Sequence, residues 1–143
     1  MSGVINLFGI SLLMLATAQI ANLPEWTAPP AERARPNPLP PSPDNLKKGR
    51  SLYFKHCAVC HGNQGRGDGP AARPHARKAA PPQDLTQPKV QSRLTDGEIF
   101  WKITAGFRYS EKKIMPAFGE EIRPENDRWS LVYFVRSLAQ PNP

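Results

Sequence analysis

The sequence predicts a small helical domain gathered around one pentapeptide, and three observations carry that prediction. Helical apolar patterns with boundary signals cover 46–55, 99–105 and 126–139. The stretch between the first two patterns, 61–88, is broken by Gly and Pro in GNQGRGDGP and ARPHARKAAPPQDLTQP, as expected of an irregular loop. The chain's only two cysteines lie in Cys57-Ala58-Val59-Cys60-His61, at the end of the first helical pattern. A length of 143 residues bounds the whole at one small domain with attachments.

The pentapeptide is the c-type haem attachment signature. Two thiols about one helical turn apart can each add to a haem vinyl group, leaving two thioethers. The histidine that follows is then placed to supply the proximal ligand to iron, which makes Cys57, Cys60 and His61 the first candidate site residues. No other cysteine competes for a disulfide. A zinc ribbon would need a second ligand pair at similar spacing, and none exists; His56 abuts Cys57, so His56, His61 and His75 do not complete a four-ligand site. A thioredoxin-like redox pair needs a βαβ context, whereas the flanks here are Lys-His and His-Gly-Asn-Gln-Gly.

Composition agrees with a cofactor-built core. Hydrophobic residues make up 39% of the chain and mean hydropathy is −0.51, a modest core for a stable domain. Covalent haem adds a large apolar surface to bury and makes a domain of this size feasible. The formal charge is +7, and all 19 Lys and Arg lie at or after Arg33. Such a surface suits an acidic protein partner or an anionic membrane. The basic residues are scattered rather than interleaved with aromatics, which argues against nucleic acid.

Residues 1–21 read as an export signal or a membrane anchor. An apolar run over 4–18 ends in Ala16-Thr17-Ala18, a small-residue cleavage pattern, yet no Lys or Arg precedes it. As an anchor, 3–21 offers 19 uncharged residues, against the ~20 that span a bilayer. Both readings put the rest of the chain outside the cytoplasm, where c-type attachment is completed. Residues 22–44 form a linker or strap, with eight prolines between 24 and 43. Such a segment is expected to be an extended, semi-rigid spacer reaching about 60 Å at ~3.1 Å per residue.

The domain proper is expected over 45–140. Asp44 or Asn45 is the expected cap of the first helix, and Gly49 within it suggests a second helix passing closely. In the loop, the carbonyl of Pro70, or of Pro74, is the expected acceptor for the Nδ1 proton of His61. Arg66, Arg73, Arg77 and Lys78 are candidates to pair with haem propionates. Thr95-Asp96-Gly97-Glu98 forms a capping box opening a helix that Gly106 ends, with Ile99, Phe100, Trp101 and Ile103 as a candidate pocket wall. Met115 is the only methionine beyond the N-terminal segment, 54 residues after His61 and stiffened by Pro116. A soft thioether ligand raises the reduction potential relative to a second imidazole, and Met115 is the candidate sixth ligand. His75, 14 residues after His61, is the rival. The final pattern presents Trp129, Val132, Tyr133 and Arg136 at helical spacing and is expected to cross the first helix.

With GRSLYFKHCAVCHGNQGRGDGP, LTDGEIFWKITAGF, the MPAF loop and DRWSLVYFVRSL in view, residues 45–140 resemble the single-haem bacterial c-type cytochromes. The resemblance implies an all-α fold with crossed N- and C-terminal helices around one covalent haem c. It also implies iron ligated by His61 and Met115, and one-electron transfer as the activity. Related domains occur as small soluble carriers and as tethered cytochrome subunits of membrane respiratory complexes and of periplasmic dehydrogenases, which implies a place in the periplasm or on the outer face of the cytoplasmic membrane. The expected partners are redox proteins with acidic docking surfaces, met through Lys47, Lys48, Lys55, Lys102, Lys112 and Lys113. The alternative is a five-coordinate haem protein that binds a gas or peroxide.

Overall fold

The computed structural model describes residues 26–72, 81–109 and 112–140. The expected signal or anchor at 1–21 lies outside these residues, as do Arg73, Pro74, His75, Arg77 and Lys78. Among the described residues no helix is long and apolar enough to cross a membrane.

The elements in order are α1 (Pro30–Arg33), α2 (Pro43–His56), α3 (Ala58–His61), a 3₁₀ turn (Pro70–Ala72) and α4 (Pro88–Gln91). They are followed by α5 (Asp96–Ala105), a hairpin of β1 (Phe107–Tyr109) and β2 (Lys112–Met115), and α6 (Glu125–Ser137). The fold is thus mostly helical, as expected, with one short antiparallel hairpin in which Phe107 pairs with Met115.

The first helix begins earlier than Asp44. Ser42 is its cap, accepting the Asn45 N–H at 3.2 Å, and Pro43 takes the first helical position. Proline has no N–H to leave unpaired there and its φ is already helical, so the start moves back to it. The packing of α2 on α6 follows from Gly49. A Cβ at that position would stand 2.0 Å from the Ser130 carbonyl oxygen and 3.0 Å from the Phe134 Cβ. One turn on, Tyr53 is fully buried, its ring 5.0 Å from that of Phe134.

Thr95 caps α5 as expected, its Oγ1 accepting the Glu98 N–H at 3.1 Å. The second half of the capping box is absent, because the Glu98 carboxylate turns to Arg33 and Lys102, each at 3.4 Å. Buried at 4% exposure, that carboxylate requires cationic partners, and two are within reach. Ile99, Phe100 and Ile103 enter the core, where Phe100 stacks on Trp129 at 4.1 Å and 17°. Trp101 stays half-buried.

From Trp26 onward the proline-rich strap does not extend away as a spacer; it lies across α5 and α6. It makes no ladder, but its carbonyls and polar side chains are used singly. Thr95 donates to the Arg33 carbonyl at 2.7 Å, and Asn37 donates to the Trp129 carbonyl at 3.1 Å. Arg35 pairs with Glu32 and Glu125 and lies over the stacked Phe100 and Trp129 rings, 4.8 and 5.3 Å from their centroids. Ala28 is buried. At Gly97 the contact is so close that a Cβ would sit 2.0 Å from the Glu32 carbonyl oxygen.

Candidate functional site

Cys57, Cys60 and His61 are brought together where α2 gives way to α3. Cys57 closes α2, its N–H donating to the Tyr53 carbonyl at 2.8 Å, and its own carbonyl accepts from the N–H groups of Cys60 and His61. This single turn sets the two thiols about one helical turn apart. Both cysteines are free and half-buried. Burial pushes the Cys57 thiol up to about 12, so at neutral pH it stays a protonated thiol.

The glycine-rich loop is folded around the end of α3. Gly62 N–H donates to Ala58, Gly69 N–H to Cys60 at 3.1 Å and Gly67 N–H to His61 at 2.8 Å, so the last carbonyls of this short helix are bonded. Gly62 makes the exit possible with φ at 80°, and the buried Tyr53 hydroxyl donates to its carbonyl at 2.8 Å. Leu85 N–H donates to Gly65 at 2.7 Å, which draws the segment after residue 80 alongside. Within that segment Asp84 accepts from Thr86 and Gln87, and these bonds hold its carboxyl below the usual range.

The consequence falls on His61. Its Nδ1 faces the Gln83 carbonyl oxygen at 3.4 Å, not that of Pro70, which belongs to the 3₁₀ turn. A carbonyl only accepts, so the pairing assigns the ring proton to Nδ1 and the lone pair to Nε2. Burial holds the imidazole below its ordinary value, with the Gln83 contact opposing more weakly, which keeps the ring neutral near pH 7. A neutral imidazole with its proton engaged on Nδ1 is the form that ligates a metal.

Met115 ends β2, half-buried. It borders the same buried cluster (Tyr53, Ala58, Ile99, Phe118 and others) as Cys57, together with Leu52, Leu85, Leu94 and Leu138. These apolar side chains flank the core without being sealed into it, and Val59 between the cysteines is 52% exposed. Two free thiols, a neutral imidazole and a half-covered apolar margin fit a covalent haem. Among the described residues no three His, Cys, Asp or Glu side chains are gathered to hold a bare metal ion.

Two further side chains link the two halves of the site. His56 bonds Glu121 at 3.1 Å and packs edge-on against Phe118, 5.8 Å away, tying the end of α2 to the chain after Met115. Arg128 directs Nη1 at the carbonyls of Gly119, Ile122 and Arg123. Its signal in the sequence is an arginine beside Trp129 on a helix that is otherwise apolar on that side. Of the lysines expected to form a docking face, Lys47, Lys48 and Lys55 are exposed, and the side chains of Lys112 and Lys113 lie outside those described. Lys48 pairs with Asp127 at 3.2 Å, and Lys102 is withdrawn against Glu98 and Trp26. Arg66 is exposed, and the remaining propionate candidates fall outside the described residues.

This combination is that of a small c-type cytochrome with one covalent haem c. The profile of the family "Cytochrome C oxidase, cbb3-type, subunit III" matches residues 44–135, and the chain belongs to that family. Among solved structures it is similar to a chain of the "Kuenenia stuttgartiensis reducing HAO-like protein complex Kustc0457/Kustc0458", with 29% identity and a TM-score of 0.59. That match covers 72% of this chain and 47% of the other, so this chain spans about half the length of its relative. A second similar structure is the "KustC0563 c-type cytochrome", with 23% identity, a TM-score of 0.49 and coverage of 64% of this chain and 98% of that one. A search among curated proteins gives no significant match.

Proposed function

We propose that this cytochrome is a one-electron relay with His61 and Met115 as axial ligands, working outside the cytoplasm as a part of a larger redox assembly. The observation that carries the reading is the placement of Met115 and the attachment turn on one apolar cluster. Bound haem supplies the Fe(III)/Fe(II) couple. Cys57 and Cys60 would hold the group by two thioethers. His61 presents Nε2 as a neutral donor while Gln83 restrains its other nitrogen. Met115 would supply a thioether donor to the iron, which would favour the reduced state relative to a second imidazole.

The assembly reading is supported by the family description, which is of an oxidase subunit, and by the similar chain's membership of a multi-protein complex. Its export from the cytoplasm is supported by the apolar 1–21 segment and by the attachment chemistry. Lys55 and Arg50 on α2 and Arg66 on the loop are exposed cations close in sequence to the attachment turn and would meet an acidic partner face.

The test is maturation of the full chain with haem, followed by denaturing pyridine spectra and carbon monoxide exposure of the reduced protein. The expected product has both vinyl groups saturated, changes to one saturated vinyl in Cys57→Ala or Cys60→Ala, and does not bind carbon monoxide rapidly. A high-spin iron that takes up carbon monoxide at once would overturn the relay reading in favour of ligand binding.

A further inference from the structure

Trp26 lies near the start of the strap, 80 residues before the turn it contacts and outside the 44–135 family match. Its indole Nε1–H donates to the Gly106 carbonyl at 3.0 Å, and its ring stacks on Phe107 at 4.8 Å and 26°. The Lys102 ammonium sits 4.1 Å from the ring centroid and also donates to the Trp26 carbonyl. Three separate interactions therefore fix one side chain onto the root of the hairpin. The residue two positions on, Ala28, is buried, so the chain that follows Trp26 also lies against the domain.

What it is fixed to is the backbone that holds Met115. Phe107 is the register partner of Met115 across the hairpin. Gly106 turns with φ at 66°, a conformation that disfavours any side chain, and the turn is crowded. A Cβ there would stand 2.5 Å from the Ala117 nitrogen and 2.6 Å from the Met115 carbonyl oxygen. Both residues that Trp26 holds thus touch the Met115 segment directly. Indole stacking over a two-stranded hairpin also supplies cover that such a hairpin lacks by itself.

We propose that Trp26 is a positioning residue for the iron's sixth ligand. The strap, through this indole, holds the hairpin so that Met115 stays on the iron. The inference rests on Met115 being that ligand, and it assigns to the segment before the family domain control over how readily that ligand lets go. A weak thioether ligand is displaced by a stronger exogenous one at a rate and affinity set by how firmly its backbone is held, so loosening the clamp should ease displacement.

The experiment uses the haem-loaded full chain as wild type, Trp26→Ala, Trp26→Phe, Asn37→Ala and Met115→Ala. The ferric proteins are titrated with imidazole, and the weak long-wavelength band of methionine–iron ligation is followed. Trp26→Phe keeps a ring over Phe107 but loses the bond to Gly106, and serves if the alanine variant fails to fold. Asn37→Ala loosens the strap at a site remote from the hairpin. The expected result is imidazole binding about tenfold tighter in Trp26→Ala than in wild type, from the loss of one hydrogen bond, one ring stack and one cation–ring contact. Trp26→Phe should fall between them and Asn37→Ala should match wild type. If Met115→Ala loses the band while both Trp26 variants bind imidazole as wild type does, the positioning role is overturned and the ligand assignment stands. An equal shift in Asn37→Ala also overturns it, since the effect would then belong to strap docking in general. If Met115→Ala keeps the wild-type spectrum, the ligand assignment itself fails, and the inference with it.

Discussion

Arg128 is buried to 9% exposure, and its guanidinium faces three backbone carbonyls of the turn that follows Met115, with Nε unbonded. Replacing it with leucine would leave those carbonyls without this donor. The expected cost is about 2–4 kcal/mol in urea unfolding of the haem-loaded protein. A cap is a smaller matter. Ser42→Ala should cost about 1 kcal/mol through the lost bond to Asn45, by the same measurement. Glu125 carries a pH signature, because the Arg35 guanidinium holds its carboxyl below the ordinary 4.5. A depressed carboxyl contributes stability above its unfolded value and loses it as pH falls through the folded value. The stability gap between wild type and Glu125→Gln should therefore be present at neutral pH and close below about pH 4.5. It should be small, since Glu125 is half exposed. Residue-level legibility was uneven for plain reasons. Cys57, Cys60 and His61 announce themselves by spacing, but the Gln83 contact to His61 is made by a carbonyl, which no side-chain identity betrays.

At the scale of elements, Gly49 gives a prediction with a diagnostic sign. Helix propensity alone says that Gly49→Ala should stabilise by about 1 kcal/mol. The Ser130 carbonyl at 2.0 Å from the new Cβ says the reverse, and a loss of about 1–3 kcal/mol is expected in urea unfolding. The three main helices were legible because apolar spacing and cap chemistry agree in each. The hairpin was not: its residues 107–115 read FRYSEKKIM, too polar and short to signal a strand pair. The strap illustrates a different limit. Eight prolines between 24 and 43 rule out a ladder, and composition then suggests a spacer. Nothing local reveals that Arg35 and Asn37 meet residues some 90 positions later.

For the whole molecule, a formal charge of +7 should favour encounters with anions. Reduction by an anionic small reagent should outpace reduction by a cationic one of similar size. That difference should shrink as ionic strength rises from about 0.01 M to about 1 M and the Debye length falls from about 30 Å to about 3 Å. The helical fold and the covalent haem were legible from the pentapeptide and the helix patterns together. The surface was not, because Lys48 and Lys102 are engaged with acidic or aromatic neighbours that only the fold brings near.

The central claim is that the iron is held between His61 and Met115. Its most direct test is the oxidised spectrum of the haem-loaded chain and of Met115→Ala, with reduction potentials for both. The account predicts a weak long-wavelength methionine–iron band in the wild type, its loss in the variant and a lower potential there. A wild type without the band, or a variant that keeps both the band and the potential, would contradict it.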